Sequence, residues 1–219
     1  MGREVDLLRD YPRAKRDVKQ RGAEKTDEDR AIARRFGREF FDGERRHGYG
    51  GFSYHPRFWQ PVIPTLRDFY GLGPDSAVLD VGCAKGFMLH DLRELIPGIT
   101  VRGVDVSEYA ICNAMDDIKS FVQVGNALEL PFADRSFDLV VAINTLHNLE
   151  RPDLVRALAE VSRVSRGGAF ITVDAYRNDE EREAMFAWNL TAKTILSVPE
   201  WVDLFAEAGY EGDYYWFIP

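Results

Sequence analysis

A carboxylate, two glycines and a second carboxylate are spaced in this chain as a ligand cradle would need them. Asp80-Val81-Gly82-Cys83-Ala84-Lys85-Gly86 lies between an apolar run, Ala77-Val78-Leu79, and a helix-period run, Phe87-Met88-Leu89-His90-Asp91-Leu92. Strand, glycine-bearing turn and helix start follow one another. Such a turn lets an adenosine-bearing cofactor approach backbone that a side chain would otherwise shield. The glycine pair alone also fits a plain tight turn. Asp105 strengthens the reading, because Thr100-Val101-Arg102-Gly103-Val104-Asp105-Val106 looks like a second buried strand that ends in an acid. That acid falls about 20 positions beyond Gly82, where a βαβ unit returns it to the same crevice and it can accept hydrogen bonds from ribose hydroxyls. Its other reading is a strand-end cap, a task Ser107 can perform.

The glycine spacing separates two cofactor classes. A dinucleotide site wants G-x-G-x-x-G with pyrophosphate on the helix N-terminus. Here the turn is Asp80-x-Gly82-x-Ala84-x-Gly86, and an acid before the first glycine repels phosphate and suits an ammonium group. The stretch resembles the first motif of the class I S-adenosylmethionine-dependent methyltransferases, an acid followed by alternating glycines. Ala84 stands where the middle glycine is usual, and Lys85 reads either as a neighbour of the cofactor carboxylate or as a solvated surface lysine.

The resemblance continues downstream. Phe121 to Ala127 reads as a third strand, and by the resemblance Asn126 and Ala127 contact adenine with Leu128 beside them. Ala133 to Asn144, a polar turn running into a continuous apolar strand, resembles the fourth motif and puts Asn144 next to the methionine part of the cofactor. Over residues 75–175 these motifs imply S-adenosylmethionine held by Asp80, Gly82, Cys83, Ala84, Gly86, Asp105 and Val106. The implied fold class is α/β, a Rossmann-like three-layer sandwich with a mostly parallel central sheet.

Methyl transfer needs an acceptor aligned with the methyl carbon and, for a hydroxyl, a base. His147 follows the fourth strand and is the first candidate for that base, with a wall residue as its other reading. His55 and Tyr54 are further candidates, while His47 and His90 read as surface residues. Asp174 and Tyr176, at the end of a fifth strand, are placed to bind or deprotonate an acceptor. Tyr49 brings a hydrogen-bonding tip, and Arg57 and Arg177 suit an anionic group. No Asn/Asp-Pro-Pro-aromatic run follows Asn144 and no Pro-Cys pair is present, which counts against nucleic-acid base methylation. No Cys/His spacing suggests a resident metal.

The elements that carry these residues are legible as periods. Thr26 opens a helix with Ile32, Phe36 and Phe40 on one face, ending near Gly43. Gly48 to Trp59 is glycine-hinged and dense in aromatics, the composition of a lid over a ligand. Residues 1–60 are accordingly expected to form a helical arm and lid, with residues 1–25 as a solvated segment, and residues 61–219 to form the cofactor-binding domain. A helix through Trp59, Val62, Ile63, Leu66 and Phe69 leads into the first strand. Ile111, Ala114, Met115 and Ile118 mark another helix. Gly167-Gly168 is expected to stop a helix before a strand at 169–176, Met185 to Ala192 to be helical, and Ser197 to Glu200 to be a capping box. The tail, 213–219, reads as a strand. A family member would place an antiparallel pair there, so the edge is expected to be shortened or supplied by 193–196.

Bulk properties add limits. Residues 1–60 hold 15 basic and 11 acidic residues, against totals of 28 and 36 in the 219-residue chain. The remainder is strongly acidic, so no nucleic-acid partner is expected. The charged start and the lack of a long apolar run predict no signal peptide and no membrane span, and the two cysteines suit a cytoplasmic setting. The expected activity is methyl transfer to an oxygen of a sugar, phosphorylated or carboxylated small molecule, by a monomer or homodimer. N-methylation of an amine and a non-catalytic cofactor-binding or partner-binding module stay open. The glycine spacing opposes a nicotinamide oxidoreductase.

Overall fold

The apolar runs at the head of each βα repeat become the strands of one parallel sheet. The computed structural model describes residues 2–12 and 25–218. Its strands are β1 (Ala77–Val81), β2 (Thr100–Asp105), β3 (Val122–Val124), β4 (Phe137–Ile143), β5 (Ser165–Tyr176), β6 (Leu196–Ser197) and β7 (Asp213–Phe217). They form a seven-stranded sheet in the order β3-β2-β1-β4-β5-β6, with β7 also paired to β5. Each of these ladders is parallel. The order reverses between β1 and β4, and an open parallel sheet has its crevice at such a point, beyond the strand carboxyl ends.

The helices are α1 (Asp27–Ala33), α2 (Arg38–Asp42), α3 (Ile63–Tyr70), α4 (Phe87–Leu95), α5 (Glu108–Cys112), α6 (Arg151–Val164), α7 (Asp179–Trp188) and α8 (Val198–Glu207). Alternate strand residues feed two cores. Leu79, Val81 and Val140 pack with Leu154, Leu158, Trp201 and Phe205 on the side of α6 and α8. Val78, Leu139, Val141 and Phe170 pack with Ile63, Leu66, Leu89 and Leu92 on the side of α3 and α4. Burying each such side chain contributes about 1.5–3 kcal/mol relative to exposure. This is the Rossmann-like α/β sandwich that the motifs imply.

Several elements depart from expectation for local reasons. The helix through Ile32, Phe36 and Phe40 is broken into α1 and α2, since Phe36 adopts φ 48° and Gly37 caps the second piece. The helix at 111–118 ends at Cys112, and the third strand stops at Val124 because Asn126 turns the chain with its side chain accepting from Leu128 N–H. Helix α7 occupies 179–188 rather than 185–192. The pair Gly167-Gly168 lies inside β5, where Asp138 O and the Tyr70 ring leave no room for a Cβ. Among the described residues no antiparallel pair closes the sheet. β6 and β7 both run parallel on β5, and Glu4 bridges to Tyr214. Residues 2–12, read as part of a solvated segment, are docked instead: Leu7 is 1 % exposed, within the second core. The rest of that expectation, residues 13–24, lies outside the described residues.

Candidate active site

Three left-handed residues shape the turn between β1 and α4. Gly82, Ala84 and Gly86 have φ of 87°, 49° and 78°. A Cβ on Gly82 would sit 2.5 Å from Thr145 Cγ2, and one on Gly86 would sit 2.5 Å from Ile118 Cγ2. Glycine is therefore demanded by conformation and packing together. Asp105, at the end of β2, braces the turn from below: Ala84 N–H donates to Oδ2 and Ser107 N–H to Oδ1, each at 2.8 Å. Each oxygen keeps a lone pair for another donor.

Asp80 is buried, and burial first, then the charge of Asp105, push its carboxyl up to about 8. A carboxyl held so high gains most from a cationic neighbour. Two acids at one helix N-terminus disfavour a pyrophosphate and favour ammonium, sulfonium and hydroxyl groups. Cys83 packs against Gly103, and burial raises its thiol, so it is an inert wall residue.

These residues open onto one cavity of about 1840 Å³ over the strand ends. Asp80, Gly82, Cys83, Ala84, Asp105, Val106, Asn126, Ala127 and Asn144 all line it, whereas Gly86 and Leu128 stand behind the lining. Val106 is 59 % exposed and gives the cavity an apolar face next to Asp105. Asn144, itself at φ 51°, is tied to β5, since its N–H donates to Thr172 O and its Oδ1 accepts from the Thr172 hydroxyl.

Further along the sheet, His147 and Asp174 line the same cavity. His147 Nδ1 accepts the backbone N–H of Asp174 at 2.9 Å. In the neutral ring the hydrogen then belongs to Nε2, an assignment made from the bonding pattern, so His147 faces the cavity as a donor rather than a base. The Asp174 carboxylate lies 3.5 Å from Nδ1, and no hydrogen-bond donor among the described residues reaches it. Burial pushes its pKa up, opposed by His147 and Lys25. Trp201 Nε1–H donates to Asp174 O and anchors this strand end.

The remaining candidates divide. Tyr49, His55, Arg57 and Arg177 line the cavity. His55 Nδ1 accepts from Arg57 N–H, the Arg57 guanidinium lies over Phe58, and Arg177 pairs at 3.9 Å with Glu4 and 4.0 Å with Glu181. Tyr54 does not join them. Its hydroxyl donates to Asp91 at 2.7 Å, and burial and that carboxylate raise it to about 12. Tyr176 is turned to Glu200 outside the lining. His47, read as a surface residue, is buried with Nε2 3.1 Å from Asp29, and His90 is half-buried beside Asp117. Lys85 is neither beside the cavity nor solvated: it is buried against Asp42. Sequence reading also passed over Thr145, Thr172 and Trp188, which line the cavity without any motif to announce them. Among the described residues no cluster of acids, histidines and cysteines could hold a metal, and no helix is long and apolar enough to cross a membrane.

Residues 79–173 match a family model described as a methyltransferase domain. An uncharacterized protein of Haemophilus influenzae is 31 % identical over 153 residues, spanning 64 % of this chain and 60 % of that one. The demethylmenaquinone methyltransferase of Symbiobacterium thermophilum is 33 % identical over 137 residues, 58 % of this chain and 53 % of that one. The chain thus spans less than two thirds of the length of either relative. The crystal structure of the YcgJ protein of Bacillus subtilis shares the fold, with a TM-score of 0.55 at 22 % identity over 67 % of this chain and 66 % of that one. Residues 79–173, which run from β1 into β5 of a parallel sheet in this order, thus carry a methyltransferase domain, similar to those of the class I S-adenosylmethionine-dependent methyltransferases.

Proposed function

We propose that the chain transfers the methyl group of S-adenosylmethionine to an oxygen of a small acceptor, a sugar or a phosphorylated or carboxylated metabolite. One observation carries this reading. A single cavity contains the acid pair of the cofactor turn and, two strands away, a third carboxylate, Asp174, that no hydrogen-bond donor among the described residues satisfies. In this reading Asp80 holds a cationic part of the cofactor, Asp105 its ribose hydroxyls, and Val106, Asn126 and Ala127 its adenine. Bound S-adenosylmethionine supplies an activated methyl carbon, whose bond to sulfur breaks with the electron pair returning to sulfur.

The protein's share is alignment and proton removal. Asp174, with its raised pKa and bare oxygens, takes the acceptor's hydroxyl proton, and His147 Nε2–H steadies the acceptor from the side. Arg57 and Arg177, at the cavity wall, receive its anionic group. The free thiols of Cys83 and Cys112 suit the cytoplasm. A second reading has its own support. A bare carboxylate also anchors an ammonium, so an amine acceptor would be held by Asp174 and methylated on nitrogen.

Calorimetric titration with S-adenosylmethionine, S-adenosylhomocysteine and NAD is the first test, followed by a labelled-methyl screen of hydroxy acids, sugar phosphates and amines. Binding of the first two ligands with label on oxygen supports the proposal. Label on amines selects the second reading, binding without transfer to any acceptor leaves a cofactor-binding module, and binding of NAD alone overturns all three.

A further inference from the structure

Lys85 sits in the cofactor turn yet points away from the cavity. It is 8 % exposed, and its ammonium donates to Asp42 Oδ2 at 2.6 Å and to Phe52 O at 2.8 Å. Asp42 closes α2, and Phe52 follows the glycine hinge, where Gly50 and Gly51 have φ of 68° and 106°. The same Asp42 carboxylate accepts from the Tyr109 hydroxyl at 2.7 Å and from Phe52 N–H at 2.8 Å. Tyr109 belongs to α5, which follows the ribose-side acid Asp105.

The knot therefore joins two groups of the N-terminal segment to one group from each half of the cofactor cradle. Aromatic contacts close around it. Phe52 stacks on Phe87 at 4.8 Å and Phe41 on Tyr109 at 6.3 Å. Phe41, Tyr49 and Phe52 of this segment line the same cavity as Ala84. Moving residues 38–58 off the turn must separate a largely buried ammonium from its carboxylate, which is costly because neither charge is compensated on the way.

We infer that Lys85 is a positioning residue whose ion pair with Asp42 latches residues 38–58 over the cofactor turn and sets how fast the cofactor enters and its product leaves. The inference rests on the proposed use of the turn for S-adenosylmethionine.

The test is stopped-flow binding of S-adenosylhomocysteine to the full chain and to Lys85→Met, Asp42→Asn, the double variant and Tyr109→Phe. A gate speeds both directions, so Lys85→Met and Asp42→Asn are expected to raise association and dissociation together by about tenfold, with Kd moving less than about threefold, as for loss of a largely buried charged pair. The double variant is expected to match the singles, and Tyr109→Phe to show a smaller rise in both rates. Trypsin cleavage after Arg45, Arg46 and Arg57 is expected to quicken in the same order. Unchanged rates, or a rise in dissociation alone, overturn the latch. Should Lys85→Met fail to fold, Asp42→Asn and Tyr109→Phe decide it. If the unaltered chain does not bind S-adenosylhomocysteine, the cofactor reading has failed, and trypsin cleavage then decides the latch: unchanged rates in every folded variant overturn it.

Discussion

At the scale of single residues, backbone conformation and charge make separable predictions. Ala84 holds φ 49°, which costs an L-residue about 1–2 kcal/mol, while glycine gives back about 0.5–1 kcal/mol through chain entropy. Ala84→Gly should therefore raise unfolding free energy by up to about 1 kcal/mol, read by urea titration. Gly82→Ala should lower it by about 1–3 kcal/mol, because Thr145 already fills the Cβ position. Asp80 predicts a pH profile. Its carboxyl keeps a proton up to about pH 8 in the free protein, and a cationic ligand favours the ionised form. Affinity for S-adenosylmethionine should climb by up to tenfold per pH unit below 8 and flatten above it. Asp80→Asn should bind weakly with no such slope; a slope that persists in that variant would move the effect to another group. On the acceptor side, Asp174→Asn should lower kcat by about 10²–10⁴-fold on an oxygen acceptor. His147→Ala should lose less, since its Nδ1 is already committed to backbone.

At the scale of elements, what could be read ahead was whatever depends on near neighbours in the chain. The turn at 80–86, the acid closing β2 and the capping box at Ser197 are local patterns, and they appear where their spacing puts them. Lys85 could not be read, because its partner lies 43 residues away and nothing in its own window selects burial over solvent. The same holds for His147, whose tautomer is decided by a backbone group of β5, and for the break at Phe36, whose carbonyl accepts from the Ser107 hydroxyl across the fold. The parallel placement of β7 escaped for a different reason, since strand period does not encode direction. The cap offers a local prediction. Ser197 donors hold the Glu200 carboxyl below its ordinary 4.5, so the cap's contribution is present above that value and fades as pH falls through the lowered one. Ser197→Ala should cost about 1 kcal/mol at pH 7 and less at pH 3, measured by urea unfolding at both.

At the scale of the molecule, the described N-terminal residues, 2–12 and 25–60, pack against the acidic remainder. Leu7 shares a core with Val62, Ile63, Leu66 and strand residues of β1 and β4. Val5 N–H donates to Tyr214 O and Tyr214 N–H to Arg3 O, which covers part of the β7 edge that would otherwise invite another strand. Farther on, Arg30 donates to Asn189 O and Arg34 to the carbonyls of Thr191 and Ala192, so α1 is strapped to the chain leaving α7. A solvated arm would leave stability indifferent to Leu7. A shared core makes it matter: Leu7→Ala should cost about 2–5 kcal/mol, whereas the exposed Arg9→Ala should stay within about 0.5 kcal/mol of the parent. Near-ultraviolet dichroism, sensitive to Tyr11 against Trp59, and far-ultraviolet dichroism, sensitive to the sheet, should fall together in one transition for the parent chain. Two transitions, the aromatic one first and alone responsive to Leu7→Ala, would show that the N-terminal residues only rest on the domain.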